Sequence, residues 1–321
     1  MSKKEYVISM TVMPWEMEQF IEMTTQLRRN SYYLNLQEID FIFDVTFNLS
    51  DEIIDWDKSK LPKQYYVDQF NGLMTRYDWT SKNNVKFHEE GSYGCVDKRR
   101  ESTDNYSDDT NIIWLDPDMT IPDTALYYLV STVEAIDSEY YIITPEMTKR
   151  WDQTWDLLVN DHYNDVNHED WIKIDPYQIH YVNSNLDKNI EVTINPTLDK
   201  IPFGAGGGGV KFGGGMLNLF NNKLLKLIRI PENVPSYGIE DLYTMAGISW
   251  LMTKGLDIKQ YIIRNVVVSE NRQYVQNNDI HKKYLEVKLS RTAQRQSTDE
   301  QNSKILHGLL NKLEKKYGKI D

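Results

Sequence analysis

Asn111-Ile112-Ile113-Trp114-Leu115-Asp116-Pro117-Asp118-Met119 runs from a short apolar strand straight into two carboxylates two residues apart. In an extended chain residues i and i+2 project to the same side, so Asp116 and Asp118 are expected to converge where the strand ends. Two hard anionic oxygens suit Mg²⁺ or Mn²⁺, ions that complete their shells with water and substrate phosphates. The plain alternative is an acidic turn whose carboxylates are merely solvated. A calcium-binding EF-hand fails, because Ile121 stands where glycine is needed and Tyr127 where the bidentate Glu belongs. From Ile121 a helix is predicted, with Pro122 at a favourable early position and Ala125, Leu126, Leu129, Val130 and Val133 turned inward.

Upstream, strands and helices alternate. Tyr6-Val7-Ile8-Ser9-Met10-Thr11-Val12 reads as a buried strand of the parallel type. After Pro14, the residues Met17, Phe20, Ile21, Thr24 and Leu27 recur at helical spacing. Ile39 to Phe47 is rich in β-branched and aromatic residues and ends in the polar segment Asn48-Leu49-Ser50-Asp51, which completes a β-α-β unit. One helix is expected between Lys58 and Asn84, and a third strand at Asn84 to Phe87. Lys98 to Asp109 is heavily charged, and Lys98-Arg99-Arg100 taken alone reads as a solvated loop. Such alternation implies a mostly parallel sheet, which binds ligands at the carboxyl ends of its strands. The places to search are therefore Thr11–Pro14, Asn48–Asp51 and Asp116–Asp118.

Downstream the pattern is weaker. Trp151 to Leu198 is rich in Trp, Asp, Asn and His; its His162, His168 and His180 read as surface or structural, and Ile190–Ile194 as a strand. Phe203 to Met216 holds half of the chain's 16 glycines. It is no phosphate loop, because Gly-x-x-x-x-Gly-Lys-Ser/Thr is absent. A dinucleotide-type match at Gly204–Gly209 has neither a strand before it nor a helix after it. A last strand is expected at Ile262–Val268. Beyond about Asp279 comes a basic helical tail with Lys282, Lys283, Lys288, Arg291, Arg295, Lys312, Lys315, Lys316 and Lys319. Ile305, Leu306, Leu309, Leu310 and Leu313 recur along it at helical spacing, so it either packs on the body or reaches an anionic partner such as DNA.

Composition removes several classes. The 321 residues are 40% hydrophobic and 26% charged, the range of an ordinary globular protein. With 36 Lys+Arg against 48 Asp+Glu the net charge is -12, which excludes a uniformly basic nucleic-acid surface. Cys95 is the one cysteine, so no intrachain disulfide can form, and a reducing cytoplasm fits best. The apolar stretch Val7–Met13 is too short for a signal peptide, and no run of ~18 apolar residues suggests a membrane-spanning helix.

Two metal-carboxylate families share the local pattern. Asp116-Pro117-Asp118-Met119-Thr120 resembles the Asp-x-Asp-x-Thr of haloacid-dehalogenase-like phosphatases, in which Asp116 would be the nucleophile and Asp118 the acid/base. That motif normally opens its fold, whereas here a β-α-β unit precedes it. More of the chain resembles nucleotide-diphospho-sugar glycosyltransferases of the GT-A fold, in the broad family 2 manner. The resemblance rests on Thr11 and Pro14 after the first strand, Asn48 and Asp51 after the second, and Ser92–Arg100 before Asp116-Pro117-Asp118. It continues in Phe212-Gly213-Gly214-Gly215-Met216-Leu217-Asn218-Leu219-Phe220, then in Gly238-Ile239-Glu240-Asp241 opening a helix.

That resemblance implies a metal site at Asp116 and Asp118 for Mn²⁺ or Mg²⁺, with His281 as a third ligand. It implies donor contacts from Thr11, Pro14, Asn48 and Arg99 or Arg100, and an acceptor-side loop at Gly213 and Gly214. Asp241 would be the general base, with Glu240 supporting it or taking the role; in family 2 the anomeric configuration inverts. The chain is then expected to be α/β, a Rossmann-like mostly parallel sheet flanked by helices. Residues 1–130 would form the nucleotide-sugar-binding half, 131–278 the acceptor-side half of the same domain, and 279–321 the basic helical tail. The expected activity is metal-dependent transfer of a sugar from a nucleotide-diphosphate donor to an acceptor hydroxyl. The Tyr/Asn/Asp-rich style resembles proteins of large phages, some of which glycosylate hydroxymethylated DNA; such a chain would work in the host cytoplasm. The acceptor stays open between a glycan and a DNA base reached through the basic tail. A phosphatase, or a non-catalytic carbohydrate- or partner-binding protein with an aromatic platform, is the alternative.

Overall fold

A computed structural model describes residues 4–34, 39–51, 53, 61–76, 82–91, 93–148, 216–236, 240–270 and 299–318. The strands are β1 (Glu5–Val12), β2 (Asp40–Asn48), β3 (Lys82–His88), β4 (Asn111–Leu115), β5 (Met119–Thr120), β6 (Tyr140–Thr148), β7 (Leu217–Asn221) and β8 (Ile258–Glu270). The helices are α1 (Met17–Ser31), α2 (Lys63–Arg76), α3 (Cys95–Asn105), α4 (Ala125–Ala135), α5 (Asn222–Ile228), α6 (Glu240–Thr253) and α7 (Asp299–Tyr317).

The strands form one 8-stranded sheet in the order β3-β2-β1-β4-β7-β6-β8-β5. β1, β2, β3 and β4 pair in parallel, as do β6 and β8, while β7 and β5 run against their neighbours. The expected fold class is the one adopted: a Rossmann-like, mostly parallel sheet with helices on both faces and a C-terminal helix. The carboxyl ends of β1, β2, β3 and β4 lie along one edge, where such sheets place their ligands.

Each strand divides its side chains between two layers, as the period of two requires. Tyr6, Ile8, Met10 and Val12 of β1 join Phe41, Phe43, Val45 and Phe47 of β2 beneath α1, α2 and α4. Val7 and Ile42 face the opposite layer, built from α3, α5, α6 and α7. Against the sheet the first layer is apolar and partly aromatic: Phe70 of α2 stacks on Phe20 of α1 with ring centroids 5.0 Å apart and on Phe47 at 5.2 Å, while Gln26 and Asn30 of α1 are buried and bonded to the segment that opens α4.

Three local expectations are corrected. The charged run from Lys98 is not a solvated loop. It belongs to α3, whose Val96, Lys98, Arg99, Ser102 and Thr103 are buried. α3 starts where Asp97 reaches back to accept a hydrogen bond from the Gly94 N–H at 2.9 Å, which supplies an acidic cap at the positive end of the helix. Leu217 to Phe220, placed by resemblance in the acceptor-side loop, form β7 between β4 and β6 and are fully buried. The helix expected from Ile121 begins at Ala125, because Pro122 and its neighbours shape the turn before it. Ile190–Ile194 lies outside the described residues. In α7, Ile305, Leu306, Leu309 and Leu313 are buried against the layer that contains α6, while Lys312 and Lys315 are exposed. Among the described residues no helix is long and apolar enough to cross a membrane.

Candidate functional site

Asp116-Pro117-Asp118 closes β4 as a turn and not as the extended continuation anticipated from the sequence. Asp116 remains tied to the sheet, because its N–H donates to the Met216 carbonyl at 3.1 Å. Its side chain is 35% exposed, whereas Asp118 is almost fully buried at 8%. β5 begins directly after Asp118 and pairs with the end of β8, so the turn is held on both sides.

Arg99 of α3 connects this turn to the start of α6. Its Nη2 donates to Asp116 Oδ1 at 2.9 Å, and its Nη1 donates to Glu240 Oε1. The guanidinium also lies over the Trp114 ring, 4.7 Å from its centroid, where the ring face attracts a cation. Only 5% of the Arg99 side chain and 4% of the Glu240 side chain are exposed. Cys95 adds a weak thiol contact to Glu240 Oε1 at 3.8 Å. Asp241, next on α6, is half-buried, and its Oδ1 accepts from the Leu242 N–H at 2.8 Å.

Thr11 and Asn48 stand at the ends of β1 and β2 and both grip the entry to α3. Thr11 Oγ1 donates to the Gly94 carbonyl at 3.5 Å, and Asn48 Nδ2 donates to the Tyr93 carbonyl at 2.5 Å. Asn48 Oδ1 also accepts from the Ser50 N–H at 3.0 Å, which fixes the turn after β2. Pro14 opens the short turn between β1 and α1 and is buried. Arg100 points elsewhere: it donates to the carbonyls of Pro231 and Val234, the latter at 2.7 Å, and pairs with Asp97 at 3.3 Å. It thereby ties α3 to the segment before α6. The structure thus brings Asp116, Asp118, Arg99, Glu240, Asp241, Thr11 and Asn48 to one edge, while His281, Gly213 and Gly214 lie outside the described residues.

Sequence reading missed the group that seats α3. Asp44 of β2 is buried, and its Oδ1 accepts from Lys98 Nζ at 2.6 Å and from Asn84 Nδ2 at 3.0 Å. Ser102 Oγ donates to Asp44 Oδ2 at 3.4 Å and shares a 2.7 Å hydrogen bond with Ser9 Oγ. The available signal was Asp44 itself, a charge inside an apolar strand that must find a partner. Tyr93 was likewise not singled out. Its hydroxyl donates to Glu101 Oε2 at 2.6 Å, and burial, reinforced by that carboxylate, pushes its ionisation well above the ordinary tyrosine range.

Asp116 and Asp118 supply two hard carboxylate oxygen donors, the chemistry that Mg²⁺ and Mn²⁺ prefer. Among the described residues no group of three or more His, Cys, Asp and Glu side chains could enclose a metal ion.

No protein-family model and no curated protein matches the chain. Among solved structures, TarS residues 1–349 from S. aureus is similar at 13% identity and a TM-score of 0.44, covering 97% of this chain and 72% of that one. The inositol-1-phosphate CTP transferase from T. maritima is similar at 10% identity and a TM-score of 0.42, covering 90% and 97%. A mycobacterial protein gives 11% identity and a TM-score of 0.42, covering 84% and 67%.

Proposed function

We propose that the chain is a transferase that moves a sugar from a nucleotide-diphosphate donor to an acceptor hydroxyl, using a divalent cation held at Asp116 and Asp118. The observation that carries this reading is the meeting of Asp116 and Glu240 on Arg99. It joins the carboxylate pair after β4 to the acidic start of α6, at the ligand-binding edge of a Rossmann-like sheet. A bound Mn²⁺ or Mg²⁺ would neutralise the diphosphate as negative charge develops on the leaving group.

The protein's own residues do the rest. Thr11 and Asn48 fix the Tyr93–Gly94 entry beside the donor, and Pro14 shapes the turn on its other side. Arg99 supplies a guanidinium next to the diphosphate position, in a water-poor setting where its charge acts strongly. Arg100 holds α3 against the segment before α6. Asp241, the more open carboxylate of the α6 pair, takes the proton from the acceptor hydroxyl. Glu240, buried and engaged with Arg99, serves to hold that arginine. His281 would complete the metal shell and Gly213 and Gly214 would flank the acceptor. The acceptor is a glycan, or a hydroxymethylated DNA base approached through the basic tail.

The test is a panel of nucleotide sugars with and without Mn²⁺, read as release of nucleoside diphosphate. Mn²⁺-dependent release in the wild type, abolished in Asp241→Asn while donor affinity is kept, is the expected result. Release of phosphate from an aryl phosphate with no nucleotide-sugar turnover would replace this reading by the phosphatase. Failure to bind any nucleotide would leave a binding module. Salt-sensitive DNA binding that is lost on truncation before Ser297 with stability unchanged would favour DNA as the acceptor.

A further inference from the structure

Arg99 is shared between two carboxylates. One side of its guanidinium is bound to the more exposed carboxylate of the turn, Asp116, and the other to Glu240, which is buried. Trp114 covers its face. A divalent cation using Asp116 needs carboxylate oxygens on which Arg99 already donates. Both claimants are positive, so each weakens the other's hold. Glu240 is the counterweight: its negative charge offers Arg99 a second seat and reduces the net positive charge that an arriving cation meets. We propose that Arg99 is a resident competitor for the divalent cation at Asp116, and that Glu240 is the positioning residue that sets the balance by drawing Arg99 away. This rests on the metal reading of Asp116 and Asp118 proposed above.

The charges give the signs. Asp116, Asp118, Arg99 and Glu240 together carry two net negative charges. Glu240→Gln leaves one and removes the charged carboxylate that Arg99 holds opposite Asp116, so cation binding weakens. The double variant Arg99→Gln/Glu240→Gln returns to two negative charges with Asp116 released from Arg99, so binding recovers to the wild-type level or beyond. The double variant also avoids leaving either member of a buried pair without its partner. A merely structural role for the pair would predict loss of stability and no tightening.

The experiment titrates Mn²⁺ alone into the full chain and follows free Mn²⁺ by electron paramagnetic resonance. Wild type, Asp116→Ala, Glu240→Gln and the double variant are compared, with thermal unfolding recorded on the same samples. The expected order is affinity lowered on the order of tenfold in Glu240→Gln and restored to or above wild type in the double variant. Wild-type binding that is lost in Asp116→Ala but unchanged in Glu240→Gln and the double variant would overturn the competition while leaving the metal site standing. Wild-type binding that is unaffected by Asp116→Ala, or no binding at all, would overturn the metal site itself.

Discussion

Phe43 and Phe47 of β2 meet the aromatic layer of α1 and α2, while Asp44 of the same strand meets Lys98 and Asn48 meets the Tyr93 carbonyl on the other face. β1 is divided in the same way, with Ile8 and Met10 beneath α1, and with Ser9 and Thr11 bonded to α3 and its entry. The apolar face holds the sheet by area removed from water, which is non-directional and tolerant of shape. Beneath α3 the other face is held by directed hydrogen bonds and buried charge, which tolerate little. The difference teaches why the site lies where it does: a polar helix seated on a polar column can present Arg99 at the strand ends in a fixed orientation.

Lys98→Met is the sharpest way to break that comparison. It nearly preserves volume but strips Asp44 of its cation, so urea unfolding should show a loss of about 3–5 kcal/mol. The volume-conserving Leu129→Met on the opposite face should cost less than about 1.5 kcal/mol. Adding Asp44→Leu to Lys98→Met should recover most of the loss. Equal effects of Lys98→Met and Leu129→Met would erase the distinction between the faces.

A smaller effect is expected where the second layer turns apolar, between α5 and α6. A Cβ added to Gly247 would come within 2.7 Å of Ile228 Cγ2. Such overpacking costs about 1–3 kcal/mol, offset by up to about 1 kcal/mol of helix propensity gained over glycine. Gly247→Ala should therefore lower stability modestly, and Ile228→Val in the same chain should relieve it.

The smallest effect is one of pH, on the outer side of α3. Burial pushes the Glu101 carboxyl up, but hydrogen bonds from Lys86 and Tyr93 outweigh it and hold the group below its ordinary value. A lowered carboxyl contributes stability that is fully present above the unfolded value and is lost as pH falls through the folded one. Lys86 is half-exposed, so screening keeps the contribution below about 1 kcal/mol. Acid unfolding of Glu101→Gln should accordingly show a slightly flatter loss of stability below the ordinary carboxylate range than the wild type does.

The apolar face was the legible one. The strand expected at Asn111–Leu115 has those bounds in the fold, and the strand expected at Tyr6–Val12 is one residue longer, because continuous apolar runs and their helical neighbours carry their own period. α3 escaped because it buries Lys98, Arg99, Ser102 and Thr103, a set with no apolar period. Its partner Asp44 lies 54 positions away, and charge pairing across that distance leaves no local mark. β7 was read as loop because the glycines before Met216 coloured the four residues after it, although Leu217, Leu219 and Phe220 have the composition of a strand. At the site, Asp116 and Asp118 were legible as a motif, whereas the engagement of Glu240 by Arg99 follows only from folding.

The most direct measurement is equilibrium binding of nucleoside diphosphates, with and without Mn²⁺, to the wild type, Asp116→Ala and Asp118→Ala. Mn²⁺-dependent binding should weaken at least about tenfold in both variants, because in the proposed site each would supply an oxygen to the cation. Urea unfolding of the same samples separates loss of the cation from loss of the fold, since Asp118 is buried and Asp116 is bonded to the buried Arg99. Unchanged Mn²⁺-dependent affinity in both variants would contradict a cation-bound diphosphate at the end of β4.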